Sequence, residues 1–169
     1  MPRKLHYREE ANPDFVYFPA CVTRIFGASG LHKDDLITVV LRLAGKAGIR
    51  VSLPEEAHGL CCSQIWEHKG NPAGQRLTAN RTIESFYKWI PIFCDTTSCT
   101  HTLLFETGGD ILTPENREKY KQLKIMDITQ WLKEVVLPRI KVIRPKNRIL
   151  LHPTCSCQIM GLTPVLLDI

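Results

Sequence analysis

The stretch Phe15-Val-Tyr-Phe-Pro-Ala-Cys21 decides the fold. Four apolar residues end at a proline, which cannot donate to a sheet ladder, so the run reads as a short buried strand with a cysteine just past its carboxyl end. Similar short runs at 49–53, 91–94, 125–128 and 148–152 read as further strands. Helical patterns lie between them. Asp34 or Asp35 can cap a helix that reaches about residue 47, where Gly48 supplies the stop, and Leu36, Ile37, Val40, Leu41 and Ala44 recur at helical spacing. Further helices are expected over 72–89, 114–122 and 129–136, the last ended by Pro138. Strands alternating with helices predict an α/β fold, a parallel sheet flanked by helices.

The opening stretch has an echo. Val16-Tyr-Phe-Pro-Ala-Cys21 and Leu150-Leu-His-Pro-Thr-Cys155 share an apolar lead, a proline and a cysteine in one register, which predicts a second unit beginning near Leu150. Residues 150–169 are too few to complete it, so a longer chain or a partner is expected to supply the rest. Residues 1–14 are polar and aperiodic and read as a flexible lead or linker. The expected division is that lead, one complete cysteine-rich domain over 15–149, and a second unit only begun over 150–169.

The 169 residues are 44% hydrophobic and 23% charged, ordinary for a soluble domain. A chain of this length buries about 68–70% of its unfolded surface, so its seven cysteines are not needed as staples. No apolar run approaches the roughly 18 residues of a membrane span, and the start MPRKLHYREEANPD has no signal core. The expected setting is cytoplasmic and reducing, with any attachment to the inner membrane peripheral and made through partners. There, an odd, clustered set of thiols argues for metal or redox chemistry over disulfides. The net charge of +5 is spread along the chain, and the small group Arg139, Lys141, Arg144, Lys146 and Arg148 reads as a solvated loop. Nucleic-acid binding would want a denser basic face interleaved with aromatics, so no nucleic-acid partner is expected.

Cys21, Cys61, Cys62 and Cys99 all follow expected strands. In an open parallel sheet the carboxyl ends face one way, and the crevice outside them can gather residues that are distant in the chain. The adjacent Cys61 and Cys62 suit a multi-iron cluster, whose corners accept neighbouring thiolates, better than one small tetrahedral zinc. Cys94 ends an apolar run and reads as core. Cys155 and Cys157 are candidates for a second centre completed elsewhere.

Taken together, Phe-Pro-Ala-Cys21, Gly-Leu-Cys61-Cys62, Asp95-Thr-Thr-Ser-Cys99 and His152-Pro-Thr-Cys155-Ser resemble the cysteine-rich CCG domain. That domain occurs in heterodisulfide reductase B subunits, in glycolate oxidase iron-sulfur subunits and at the carboxyl end of flavin-linked D-lactate dehydrogenases. The similarity to the last group covers roughly residues 15 to 160. It implies an iron-sulfur electron-transfer domain, a fragment or subunit of a flavin-dependent D-lactate or 2-hydroxy-acid dehydrogenase, and not catalytic alone. By the same resemblance Cys21, Cys61, Cys62 and Cys99 would hold a 4Fe-4S cluster, with Asp95 and Cys155 as additional candidate ligands. FAD would sit on a separate domain or subunit, and electrons would pass to a quinone or another iron-sulfur protein.

Two positions depart from the family pattern. Thr96 stands where the fourth cysteine belongs, although four thiolates still suffice for a cubane. Ser63 replaces the glycine that follows the pair, and a serine would strain that turn if the position needs positive φ. These departures support an alternative expectation, a CCG-like module that bears no cluster and docks a partner subunit. A thiol reductase working through Cys61 and Cys62 is weaker, because adjacent cysteines close only a strained disulfide.

Other features read as structural. Gly27-Ala-Ser-Gly30 lacks the spacing and the lysine of a phosphate loop. His68 and Lys69 read as solvated loop residues, His101 as a surface histidine and His152 as the polar end of a strand. Trp66, Trp89 and Trp131 are expected to fill the interface between sheet and helices.

Overall fold

Alternation along two short strands sets the layers. In β1 (Phe15–Phe18) Val16 and Phe18 face one side and Tyr17 the other, and in β3 (Ile92–Cys94) Ile92 and Cys94 oppose Phe93. The computed structural model describes residues 7–28, 33–88, 91–143 and 150–169. With β2 (Val51–Ser52) and β4 (Ile125–Asp127), these strands form one parallel sheet in the order β2-β1-β3-β4. Val16 is registered against both Ser52 and Ile92. The fold is α/β, a parallel sheet flanked by helices.

On one face Val16, Phe18, Ile92 and Cys94 pack against Phe86 of α4 (Pro72–Phe86) and against Leu103. On the other, Tyr17 and Phe93 meet Ile37, Val40 and Ala44 of α2 (Leu36–Lys46), together with Trp131 and Val136. Tyr17, Phe93 and Trp131 form a stack with centroids 4.9 and 4.2 Å apart. Local chemistry fixes the helix ends. Asp35 accepts from the Thr38 amide at 2.7 Å to start α2, and Gly48, at φ 66°, follows its end. Asn71 likewise accepts from the Gly74 amide at 2.9 Å, with Pro72 opening α4.

Two short helices lacked a sequence signal. α1 (Cys21–Phe26) buries none of its residues, and α3 (Gln64–His68) buries none either, so neither shows an amphipathic stripe. Beyond β3, α5 (Thr97–His101) widens into a π-helical turn over Thr102–Glu106, and α6 (Pro114–Tyr120) leads to β4. α7 (Ile128–Gln130) widens in the same way over Trp131–Val136 and ends in a 3-10 turn at Pro138.

The two ends of the chain differ from expectation. Described residues 7–14 are pinned to the sheet edge: Arg8 and Leu53 exchange amide hydrogen bonds of 3.0 and 2.7 Å, and Asp14 pairs with Arg50 at 3.0 Å. Of the expected strand at 148–152, the first two residues lie outside the described ones. Leu150 to His152 join no ladder, and Leu150 is 98% exposed, because no apolar layer covers this segment. The echo persists one step later. Ala20 (φ −60°, ψ 158°) and Thr154 (φ −67°, ψ 162°) have the same extended geometry, and each is followed by a cysteine in the first helical position. α8 (Cys155–Ile159) packs on α5, and α9 (Thr163–Leu167) on α7, so residues 150–169 lie against the first unit.

Candidate functional site

Chain order in the sheet runs outward from β1 to β2 on one side and to β3 and β4 on the other. Connections after β1 and β3 therefore diverge and leave a crevice at their carboxyl ends. Cys21 opens α1 after β1, and Cys99 lies in α5 after β3. Cys61 and Cys62 arrive from the β2 side through the 3-10 turn Glu55–Gly59. All four line one cavity of about 540 Å³.

The thiols border a volume and do not converge on a point. Cys62 and Cys99 are buried, with their sulfurs 3.2 Å apart. Two thiolates on one tetrahedral zinc would sit about 3.8 Å apart for Zn–S bonds of about 2.3 Å, so this pair is in thiol hydrogen-bond contact. Among the described residues, no group of three His, Cys, Asp or Glu side chains could hold a metal ion. The soft donor set, spread around one volume, fits a cluster with several irons, which takes its ligands at separate corners.

Crowding keeps Cys61, Cys62 and Cys99 protonated. Cys61 is pushed up from the ordinary thiol range by its hydrogen bond with Cys62 and then by burial. Contact with Cys61 lowers Cys62, but Cys99 and burial carry it up to about 12. Cys62 lowers Cys99, yet Cys94 and burial raise it overall. A cationic centre is what would ionise them together. Without one, the unfolded chain releases these protons near pH 9 while the folded chain retains them, so stability is full below that pH and falls as pH rises toward 12. Each such thiol contributes a slope of about 1.4 kcal/mol per pH unit in that window. Urea melts of metal-free protein at about pH 8 and about pH 10.5 should show a lower midpoint at the higher pH, and equal midpoints would contradict the crowded, protonated site.

Three residues hold the Cys61–Cys62 loop. The Arg24 guanidinium, one turn beyond Cys21, donates to the Ala57 carbonyl at 2.8 Å, to that of Leu60 at 2.6 Å and to that of His58. The Thr82 hydroxyl in α4 accepts from the Cys61 amide at 3.3 Å and donates to the Cys61 carbonyl at 2.8 Å. Ser63 is buried with φ 76°, the left-handed backbone that favours glycine. Such a conformation costs a non-glycine residue about 1 kcal/mol or more. Ser63→Gly should therefore raise the melting temperature by about 2–4 °C, read by differential scanning calorimetry, and a decrease would show that the serine side chain stabilises the turn.

Asp95 stands apart from the cavity. Its Oδ2 accepts from the Tyr17 hydroxyl at 2.6 Å, and its Oδ1 accepts from the Ala20 amide at 2.8 Å and the Thr96 hydroxyl at 3.2 Å. Burial raises its pKa, and these donors hold it back. Asp95 thus ties the end of β3 to the turn that launches α1. This structural role is not legible in the sequence, because the partner Tyr17 belongs to an apolar run 78 residues away.

The remaining candidates are dispersed. Cys94 is core, as expected, and touches Cys99. Thr96 lines the cavity. Cys155 is exposed at the start of α8, whereas Cys157 is buried. His68 reaches the cavity rim, and His101 is half-buried with Nδ1 3.1 Å from Glu106. Trp131 fills the core, Trp66 lines the cavity, and Trp89, Ser29, Gly30, Arg144, Lys146 and Arg148 lie outside the described residues. No family model, curated protein or solved structure matches the chain.

Proposed function

We propose that this chain is an iron-sulfur electron-transfer domain, a fragment or subunit of a flavin-dependent D-lactate or related 2-hydroxy-acid dehydrogenase. The observation that supports this most is the meeting of Cys21, Cys61, Cys62 and Cys99, from three separate connections, around one cavity at the carboxyl edge of the sheet. These four residues would hold a 4Fe-4S cluster, which when bound supplies one-electron storage. The chain's own groups prepare the site. Arg24 and Thr82 fix the loop that carries the adjacent pair, and its positive charge lets Arg24 favour ionisation of Cys61. Burial of Cys62 and Cys99 excludes water from the floor. FAD belongs on a separate domain or subunit, and the acceptor is a quinone or another iron-sulfur protein. No helix among the described residues is long and apolar enough to cross a membrane.

The 3.2 Å contact between Cys62 and Cys99 favours a second reading, a cluster-free CCG-like module that docks a partner subunit. Iron and acid-labile sulfide analysis of anaerobically purified protein separates the two. About four of each per chain supports the electron-transfer domain, and a colourless, stable, iron-free protein supports the module.

A further inference from the structure

Cys62 and Cys99 touch sulfur to sulfur. The contact of 3.2 Å joins residues 37 positions apart, Cys62 just past the 3-10 turn and Cys99 in α5. A disulfide holds its sulfurs about 2.05 Å apart, so closure asks for a further approach of about 1.2 Å. The two side chains are only 4% and 5% exposed, yet both border the cavity, where a small uncharged oxidant can meet them. Other pairings are poorer. Cys61 and Cys62 are adjacent and close only a strained ring. Cys94 is core, and Cys94, Cys155 and Cys157 do not line the cavity. We propose that Cys62 and Cys99 form an oxidative modification site: in the iron-free chain, hydrogen peroxide joins them as an intramolecular disulfide.

The reaction balances with peroxide as the sole oxidant. One peroxide oxygen passes to a thiol sulfur, giving a sulfenic acid, and the other departs as water. The second sulfur then attacks the first, the S–O bond breaks, and the thiol proton leaves with that oxygen as a second water. Peroxide gains the two electrons and two protons that the thiols lose. Both thiols are held protonated, which slows the forward step, and their poor leaving ability slows reduction of the bond once it has formed. A bonded pair has no thiolate to offer a metal. On the electron-transfer reading the disulfide is therefore a state of the empty site that excludes the cluster, but the bond itself does not depend on that reading.

Excess hydrogen peroxide on folded, iron-free Cys155→Ser protein, which lacks the exposed thiol, tests it, with pairings read by mass spectrometry of the digest. Peptides joined through Cys62 and Cys99 should dominate and separate again on treatment with dithiothreitol. Adding Cys61→Ser should keep the crosslink, and adding Cys62→Ser should abolish it, in proteins that melt cooperatively. The oxidised protein should also melt higher than the reduced one, because the bond ties residues 37 apart without disturbing a contact already made. A different dominant pairing, oxidation of Cys62 without a crosslink, or a bond that lowers the melting temperature overturns the proposal. Iron-free protein is used throughout, so failure here leaves the electron-transfer reading standing, and failure of that reading in iron analysis leaves the disulfide standing.

Discussion

On the proposed electron-transfer reading, Cys62→Ser is expected to leave anaerobically prepared protein colourless, with iron falling from the roughly four per chain which that reading requires to below about one. Cys62 sits on the cavity floor between Cys61 and Cys99, only 4% exposed. Exchanging sulfur for oxygen removes a soft ligand and hardly alters volume, so the loss belongs to the donor and not to packing. A thermal melt of the metal-free variant should stay within a few degrees of metal-free wild type. Cys155→Ser is the control, since Cys155 is exposed and does not line the cavity. It should retain wild-type iron. Should Cys62→Ser keep full iron and colour, the four-thiol site is not where the metal sits.

Asp95→Ala should be strongly destabilising, costing about 3 kcal/mol. It would strand the buried Tyr17 hydroxyl and the Ala20 amide, each of which loses its acceptor. For a domain of this size the melting temperature should fall by about 6–12 °C. Asp95→Asn should cost less, because its carbonyl can still accept from Ala20. If the alanine variant loses under about 1 kcal/mol in urea melts, the carboxylate is not the tie between β1 and β3. Loss of iron without loss of stability would instead restore the ligand role expected from sequence.

Sequence legibility followed burial. The strands at 15–18 and 92–94 are covered on both faces, which makes them continuous apolar runs that no helix of ordinary length could mimic. α2 was legible because one face is buried and Asp35 caps it. α1 was not, since Val22, Ile25 and Phe26 face outward and leave no periodic stripe. Leu150 and Leu151 gave the opposite error, apolar residues with nothing to cover them. At the site, the gathering of Cys21, Cys61, Cys62 and Cys99 follows from sheet direction alone, whereas the contact of Cys62 with Cys99 depends on loop geometry that spacing does not encode. The strain at Ser63 is not legible from composition or periodicity, because it lies in a left-handed backbone at φ 76° that the turn imposes.

The central position of β1, paired with β2 and β3, has a consequence for biosynthetic timing. At about 5–20 residues per second the ribosome has delivered Cys21, Cys61 and Cys62 for some seconds before Cys99 and β3 emerge. Until then the receptacle lacks its far wall. On the proposed reading, handover of preassembled inorganic cargo must wait for that late arrival, and a nascent chain stalled short of β3 should take none.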